Sequence, residues 1–282
     1  MTRDFIAATD RPLLEAAGLA DFDALWQREL AAVERPNTGR GGGWSSVCRL
    51  DLPGQEYFLK RQSNHLTRSF AHPFGEPTFA REFRNIRRYA ERQVPALCAA
   101  FFGMRKVANE RRAILLTRAL SGWRDLAGWL ADWPQYPPET RAQLLDACGL
   151  LARRLHAARL THCCFYPHHI FVRAEEDGFA TCLIDLEKSR SLHLRRERIR
   201  DLEQFLRYAP QLSEAEINRF FARYLNAPTN APEIDRWRQW LAKRQQKKGV
   251  PPRTPSFVDV GHQDGDDQHQ YPGQIEPEQK NG

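Results

Sequence analysis

The sequence lacks the long apolar runs that mark membrane and secreted proteins. No window of its 282 residues approaches the ~18 uninterrupted apolar residues of a spanning helix, so we expect none. The amino terminus, MTRDFIAATDRPLLE, contains no apolar core of the length that a secretion signal needs. We therefore expect a cytoplasmic protein.

Cysteines at the spacings typical of a CxxC pair or a disulfide framework are also lacking. The six cysteines show no CxxC pair and no spacing typical of a disulfide framework, which favours a reduced environment. They are Cys48, Cys98, Cys148, Cys163, Cys164 and Cys182. The chain shows no internal repeat either.

Positive charge is abundant. The chain has 42 Lys and Arg against 35 Asp and Glu, a net charge of +7, much of it in arginine clusters such as Arg195-Arg196-Glu197-Arg198. This excess favours anionic partners: nucleotides, lipid headgroups, phosphorylated sugars or nucleic acid. With 41% apolar and 11% aromatic residues, the chain can build a core of normal size.

The local patterns predict a small β-rich lobe followed by a larger helical lobe, hence an α+β fold. A helix is predicted over residues 11–30, where leucines recur at helical spacing. From about Lys243 the composition shifts to Lys, Gly, Pro, Asp and Gln, which predicts a disordered tail. The predicted segments are an N-terminal helical extension (1–34), an N-lobe (35–118), a C-lobe (119–244) and a tail (245–282).

The stretch NTGRGGGWSSVCRLDLPGQEYFLKR, residues 37–61, predicts a β-hairpin. Gly41, Gly42 and Gly43 precede an alternating strand over 44–50, and a Pro-Gly turn leads to a second strand over 57–60. Glycines permit a close approach of the backbone to phosphates, although a flexible turn explains them equally well.

Two charged residues follow in an order that suits phosphate binding. Lys60 ends the second strand and supplies a point charge for phosphate oxygens. Glu82 lies on a helix predicted over 77–92 and can pair with that lysine to hold it extended. The glycines, the lysine and the glutamate together predict a nucleotide-binding lobe.

The stretch THCCFYPHHIFVR, residues 161–173, is unusually rich in cysteine and histidine. It follows a helix predicted over 140–160 and leads to a hairpin whose second strand, 181–184, ends in Asp185. That carboxylate is placed to bind Mg²⁺ bridging phosphates.

Other interpretations of this stretch are open. A zinc site would use His162, Cys163, Cys164, His168 and His169, but zinc ligands usually come from separated pairs. A redox pair of Cys163 and Cys164 is a further alternative. Core packing is the simplest interpretation for Cys163, Phe165, Ile170 and Val172.

The order of these parts is that of the protein-kinase fold. Within it, HCCFYPHHIFV followed by LIDLEKSR resembles the lipopolysaccharide core kinases of the InaA/WaaP (Kdo/heptose kinase) type. RGGGWSSVCRL and EYFLKRQ are similar to the amino-terminal lobe of the same group. The resemblance covers roughly residues 35–225 and implies a two-lobed protein-kinase-like fold that uses ATP and Mg²⁺.

The resemblance also implies roles for individual residues. Lys60, paired with Glu82, is expected to contact the α- and β-phosphates, and Lys188 is either a further phosphate contact or a surface lysine. Asp185 is expected at the metal position. His169 is expected at the second metal position, although imidazole suits ions softer than Mg²⁺, and a hydrogen bond within the loop is its alternative.

The same resemblance assigns the residues that shape the loop. His162 is its expected structural histidine. Asp201 is expected to tie the loop down by accepting backbone N–H bonds; an exposed helix carboxylate paired with an arginine is the alternative.

One departure from the kinase pattern concerns the general base. The aspartate expected two residues after His162 is Cys164. A thiol with an ordinary pKa of about 8.5 accepts a proton poorly at neutral pH. His168, Glu187 or Cys164 itself are the candidate replacements, and their spacing favours none of them.

Three functions follow as hypotheses. The first is a kinase that phosphorylates a heptose or Kdo hydroxyl of the lipopolysaccharide core or another anionic glycolipid, with possible peripheral contact at the inner membrane and no nucleic acid partner. The second is a nucleotide-binding pseudokinase in envelope biogenesis or stress response, favoured by Cys164. The third is a small-molecule kinase of the aminoglycoside or choline type, disfavoured because the chain is basic where an acidic acceptor pocket is expected.

Overall fold

The computed structural model describes residues 4–33, 35–38, 42–68 and 72–247. These residues form two compact units. Unit 1 contains the described residues up to Arg88 together with Leu97–Ser121, and unit 2 contains Tyr89–Ala96 together with the described residues from Gly122 onward. Residues 248–282 of the predicted tail lie outside the described residues, as does Gly41.

Unit 1 is built on an antiparallel sheet of six strands, in the order β1-β7-β8-β4-β3-β2. Strands β5 and β6 form a separate two-stranded ribbon. In chain order the elements are β1 (Phe5–Ile6), α1 (Arg11–Ala16), α2 (Phe22–Gln27), β2 (Asn37–Thr38), β3 (Trp44–Leu52), β4 (Gln55–Ser63), β5 (Leu66–Thr67), β6 (Glu76–Pro77), α3 (Thr78–Glu91), β7 (Ala99–Val107) and β8 (Glu110–Arg118). Helix α3 begins in unit 1 and ends in unit 2.

Strands β3 and β4 form the predicted hairpin. Leu52 is paired with Gln55 across the two-residue turn Pro53–Gly54. Gly54 has a φ of 80°, a left-handed conformation that glycine adopts without steric cost. The hairpin prediction is confirmed, and both strands are longer than predicted.

The apolar core of unit 1 packs one face of the sheet against the N-terminal helices. Leu59 and Phe101 of the sheet share this core with Leu14 of α1 and Leu25 of α2, all fully buried. Side chains alternate along a strand, so Leu59 facing this core places Lys60 on the opposite face of the sheet.

The prediction of one helix over residues 11–30 is wrong. The chain forms two short helices, α1 and α2, because Gly18 adopts a left-handed φ of 67° after the first of them. Asp21 then caps the second helix by accepting a hydrogen bond from the Ala24 N–H at 2.9 Å. Leucine spacing alone does not distinguish these arrangements.

Strand β7 does not stand out in the sequence. Its first residues, Ala99–Phe101, are all buried, and the register with β8 shifts between Ala99 and Phe101. Such a bulge interrupts the apolar–polar alternation by which a half-buried strand is recognised.

Unit 2 is mostly helical. Its elements after α3 are β9 (Arg124–Asp125), α4 (Leu126–Ala131), α5 (Pro138–Ala157), β10 (Leu160–Thr161), β11 (Ile170–Glu175), β12 (Gly178–Leu183), β13 (Arg190–Ser191), α6 (Arg195–Arg207), α7 (Glu214–Leu225) and α8 (Pro232–Lys247). Strands β12, β11 and β9 form one antiparallel sheet, and β10 pairs with β13. The predicted α+β composition is confirmed.

Helix α8 was not predicted from the sequence. Its buried residues Ile234, Trp237 and Leu241 lie at helical spacing and pack toward the core, while mostly polar residues fill the positions between them. The helix continues to Lys247, past the start of the tail predicted from residue 245. Among the described residues, no helix has the length and apolar character needed to cross a membrane.

Helix α5 approaches α7 closely at a glycine. A Cβ atom on Gly149 would lie 2.7 Å from the Phe220 carbonyl oxygen and 2.8 Å from the Arg223 Cβ atom. Neither backbone can yield easily, because both helices are buried on this side.

We predict that Gly149→Ala destabilises the protein. Alanine normally stabilises a helix interior relative to glycine by about 0.5–1 kcal/mol. Here the clash with α7 should reverse that sign and cost about 1–3 kcal/mol, measured by urea unfolding at neutral pH. The control is Gln143→Ala on the exposed side of the same helix, expected to change stability by less than about 0.5 kcal/mol. A Gly149→Ala protein as stable as the parent would contradict this packing.

Candidate active site

In unit 1, Lys60 of β4 and Glu82 of α3 form a buried ion pair. The Lys60 Nζ atom donates a hydrogen bond to the Glu82 Oε1 atom at 2.8 Å. The residues are only 4% and 2% exposed, so water screens the pair little. Removing one partner of such a pair would leave the other charge buried, which is strongly unfavourable. The two side chains are therefore held in contact.

A residue that the sequence did not single out, Gln62, fixes α3 against the strand. Its side chain points to the same face as Lys60, two residues earlier, and is fully buried. The Gln62 Oε1 atom accepts a hydrogen bond from the backbone N–H of Phe79 at 2.8 Å, in the first turn of α3. That contact sets the position of the helix that carries Glu82.

The glycines before β3 are explained by the conformation and packing of the backbone. Gly42 has a φ of 80°. A Cβ atom on Gly43 would lie 2.4 Å from the backbone carbonyl oxygen of Asn64, which no side chain tolerates. The backbone therefore requires glycine at both positions for reasons that do not involve a ligand. Their contact with a nucleotide, like that of Gly41, remains a prediction.

In unit 2, Asp201 of α6 organises the loop that follows β10. This fully buried carboxylate accepts hydrogen bonds from the backbone N–H groups of His162 at 2.8 Å and Cys163 at 3.0 Å. It also accepts one from the Thr161 hydroxyl at 2.7 Å, and the His156 Nε2 atom lies 3.4 Å away. The exposed carboxylate considered as an alternative is wrong.

The pKa of Asp201 reflects this network. Burial by itself would raise the pKa of the carboxyl group, but hydrogen bonds from His156 and Thr161 lower it below its ordinary value. Asp201 is therefore ionised in the folded protein, and its charge is satisfied by the loop.

His162 connects the loop to the segment that precedes Asp185. Its Nε2–H group donates to the Ile184 carbonyl oxygen at 2.9 Å, and its Nδ1 atom accepts from the Cys164 N–H at 3.3 Å. Burial lowers the pKa of His162, so the ring is neutral. Because both ring nitrogens are occupied, His162 positions the loop and has no lone pair for a metal.

His169 and Asp185 face each other in the same unit. The His169 Nδ1–H group donates to the Cys164 carbonyl oxygen at 2.9 Å, which leaves the Nε2 lone pair 3.6 Å from the Asp185 Oδ2 atom. Burial lowers the pKa of His169 well below its ordinary value, so its ring is neutral. The His169 Nε2 atom is buried and makes no hydrogen bond with any residue that the structure describes.

Two electron-pair donors that face each other at this distance suit a cation between them. One nitrogen and one oxygen are ligands for a divalent metal. The described residues contain no group of three or more His, Cys, Asp and Glu side chains arranged to hold a metal ion. A metal here would therefore take its other ligands from water or from a substrate, as Mg²⁺ commonly does.

The two vicinal cysteines differ in environment. Cys163 is half-buried, has a left-handed φ of 70°, and its Sγ atom accepts a hydrogen bond from the Arg200 Nη2 atom at 2.6 Å. Burial raises the pKa of Cys163. Cys164 is 5% exposed, and neither residue is in a disulfide.

These contacts bear on two of the open interpretations of this loop, the zinc site and core packing. A zinc ion is disfavoured, because His162 has no free nitrogen and Arg200 places a positive charge at Cys163. Phe165, Ile170 and Val172 are fully buried core residues, as predicted. Core packing is wrong for the half-buried Cys163, which contacts Arg200 instead.

The remaining candidates, His168, Glu187 and Lys188, are all half-buried. His168 is half-buried and stacks on the Tyr166 ring with 5.2 Å between ring centroids. Glu187 and Lys188 are half-buried in the segment after Asp185, so Lys188 is not a fully exposed surface lysine. The buried Ser189 hydroxyl, which sequence reasoning missed, lies 3.0 Å from the Tyr89 hydroxyl and 3.4 Å from the His162 carbonyl oxygen.

We predict that Asp201→Asn destabilises the protein and weakens its response to acid. The pKa of Asp201 is lower in the folded than in the unfolded protein. Its stabilisation is therefore full above the unfolded pKa of about 3.9 and is lost as the pH falls through the folded pKa.

Urea unfolding at pH 7 and pH 3 measures both effects, because pH 3 lies below the unfolded pKa. The variant should lose about 1–3 kcal/mol at pH 7 and show a smaller further loss at pH 3 than the parent. Asp177→Asn, in the exposed β11–β12 turn, is the matched control and should change neither value. Equal acid sensitivity of parent and Asp201→Asn would refute the assignment.

Comparison with known proteins agrees with this geometry. The model of the lipopolysaccharide kinase (Kdo/WaaP) family matches residues 23–224. Protein InaA of Escherichia coli (strain K12) is 32% identical over 208 residues, which cover 71% of this chain and 95% of InaA.

A solved structure, WaaP in complex with acyl carrier protein, has a similar fold. It is matched with a TM-score of 0.65 at 22% identity, over 87% of this chain and 99% of WaaP. This match confirms the predicted protein-kinase-like fold. The chain therefore belongs to the lipopolysaccharide kinase (Kdo/WaaP) family, which confirms the predicted resemblance and the prediction of a kinase.

Proposed function

We propose that this protein transfers the γ-phosphoryl group of ATP to a heptose or Kdo hydroxyl of the lipopolysaccharide core. The observation that carries the proposal is the facing pair of His169 and Asp185, a nitrogen and an oxygen donor 3.6 Å apart. Asp201 holds the loop that leads to His169, and His162 of that loop contacts the segment before Asp185. The buried Lys60–Glu82 pair supports the proposal from unit 1.

We assign the binding roles as follows. Lys60 binds phosphate oxygens of ATP, and Glu82 keeps its ammonium group extended. Gly41, Gly42 and Gly43 offer backbone close to the phosphates, and Lys188 adds a further cation.

Asp185 and His169 hold the Mg²⁺ that accompanies ATP. When bound, Mg²⁺ neutralises charge on the phosphate oxygens.

The residues of the loop act through position. His162 and Asp201 fix the backbone from residue 161 to residue 164, so the Cys164 side chain is presented where kinases of this fold carry their catalytic aspartate. Phosphoryl transfer has a loose transition state, in which the acceptor hydroxyl loses its proton late. Loss of a general base typically costs about 10²–10⁴-fold, so transfer without a carboxylate is slow but feasible.

The positive net charge of the chain supports a proposal about its acceptor and its location. The net charge of +7 suits the anionic lipopolysaccharide core or another anionic glycolipid. We propose a cytoplasmic protein that contacts the inner face of the inner membrane peripherally. A carrier protein is a second candidate partner, because the solved WaaP structure is a complex with acyl carrier protein.

A second candidate function is nucleotide binding without turnover, in envelope biogenesis or stress response. Cys164 favours it, since this thiol stands where the fold usually carries a carboxylate. Both candidates require nucleotide binding and differ only in transfer.

We expect purified protein with Mg-ATP to phosphorylate core oligosaccharide, and Asp185→Asn to reduce incorporation by at least about 10²-fold. Asparagine is the better substitution, because Asp185 has a left-handed φ of 53° that asparagine tolerates and alanine does not. Radiolabelled phosphate in the sugar product is the measurement.

The same samples decide between the two candidates. Thermal stabilisation by Mg-ATP without incorporation would favour the nucleotide-binding role. An Asp185→Asn protein as active as the parent would refute the metal assignment. Asp177→Asn serves again as the control for loss of a surface charge.

We expect Cys164→Asp to accelerate transfer by roughly 10²-fold and Cys164→Ala to leave the slow rate nearly unchanged. The substitution keeps the contacts of residue 164 with His162 and His169, because these use its backbone N–H and carbonyl oxygen. Single-turnover rates at saturating Mg-ATP measure the effect. If Cys164→Ala abolishes transfer, the thiol itself takes part in the reaction.

A further inference from the structure

An exposed aromatic ring lies beside the loop in unit 2. Tyr208, at the end of α6, is 51% exposed. Its ring meets the Tyr166 ring edge to face, with 5.1 Å between centroids. Tyr166 in turn stacks on His168 and lies 5.6 Å from the His169 ring. A row of rings thus leads from the proposed metal ligand to the surface.

The row is held in place by α6. The Gln204 Nε2 atom donates to the Tyr166 hydroxyl at 3.0 Å, and its Oε1 atom accepts from the Phe165 N–H at 3.4 Å. Gln204 is 7% exposed, and Tyr208 follows it one helical turn later. Such a surface loses little side-chain entropy when a ligand binds.

Positive charge adjoins the exposed ring. Glu203, fully buried, accepts from the Arg207 Nη2 atom at 3.1 Å and from the Arg244 Nε atom at 3.4 Å. Two guanidinium groups share this carboxylate, so Arg207, Arg244 and Glu203 together carry a net charge of +1. The Arg207 guanidinium carbon lies 5.7 Å from the centroid of the Tyr208 ring.

We propose that Tyr208, Tyr166 and Arg207 form an acceptor subsite for an anionic sugar, a pyranose that carries a carboxylate or a phosphate. The C–H face of a pyranose packs on an aromatic ring. The Arg207 Nε and Nη2 atoms face Glu203 at 2.9 and 3.1 Å, so the guanidinium group would offer either anion its remaining N–H groups and its charge. The inference rests on the proposed function, because it names the part of the acceptor that the reaction requires next to the loop.

Ligand-detected NMR tests the subsite without any phosphoryl transfer. The probes are Kdo, glucose 6-phosphate, neutral glucose and inorganic phosphate, each titrated into the full chain. Saturation transfer to the ring protons of Kdo or glucose 6-phosphate is the expected result, with neutral glucose weaker. Kdo against glucose 6-phosphate distinguishes a carboxylate from a phosphate ligand. Inorganic phosphate, added as a competitor of the charged sugars, reports binding of the anion alone.

Three variants separate the subsite from a general effect on folding. Tyr208→Ala should weaken binding of the charged sugars by about tenfold, and Tyr208→Phe should restore it because the ring is kept. Leu194→Ala, which removes a 48% exposed side chain at the other end of α6, should have no effect. Stabilisation by Mg-ATP should be unchanged in all three.

The outcomes distinguish this inference from the proposed function. Sugar binding that depends on Tyr208 in a protein that transfers no phosphate would support the subsite and contradict the kinase reaction. Transfer with the same acceptor KM in parent and Tyr208→Ala would overturn the subsite alone. Absence of saturation transfer from the parent protein to the charged sugars at millimolar concentration would also overturn it.

Discussion

The hydrogen bonds to the Asp201 carboxylate are the interaction on which the rest of unit 2 depends. Two consecutive backbone N–H groups, at His162 and Cys163, point at this buried charge. Without it, both donors would be left in an apolar interior, at a cost of about 1–3 kcal/mol each. The loop therefore has one low-energy conformation, and the side chains that follow inherit their positions from it.

The fixed loop conformation positions His162, His169 and the segment that carries Asp185. With its backbone fixed, His162 reaches the Ile184 carbonyl oxygen, and this contact sets the start of the Asp185 segment. The Cys164 carbonyl oxygen holds His169 with its Nε2 lone pair toward Asp185. Cys163 and Asp185 both adopt left-handed φ angles, which cost non-glycine residues about 1 kcal/mol or more each. The buried hydrogen bonds around them stabilise both conformations despite this cost.

This arrangement separates the backbone contacts of the loop from the identity of the side chain at residue 164. The contacts made by residue 164 to His162 and His169 are backbone contacts and do not depend on a carboxylate. The loop thus keeps its shape with a cysteine at that position. The two proposed functions share this loop, and they differ in whether a chemical step follows the proposed nucleotide binding.

The sequence by itself determined the parts that depend on local pattern and on the order of motifs. The β3–β4 hairpin followed from strand alternation around Pro53–Gly54, and the family followed from the residues around His162 and Asp185. It also indicated which charged residues to examine, because lysine, glutamate and aspartate occur in kinase order. It failed at α1 and α2, where a single left-handed glycine outweighs a leucine pattern, and at β7, where a bulge breaks the alternation.

Only the tertiary structure decided what each residue touches. The resemblance implied that Asp201 accepts backbone N–H bonds, with an exposed helix carboxylate as the alternative. Only the structure shows that Asp201 is fully buried and that its partners come from a loop about 40 residues away. Gln62, Ser189 and the Tyr166–Tyr208 pair carry no sequence signal, since a glutamine, a serine or a tyrosine is ordinary at any surface. Their roles arise from contacts between residues distant in the chain, and such contacts depend on how the elements pack.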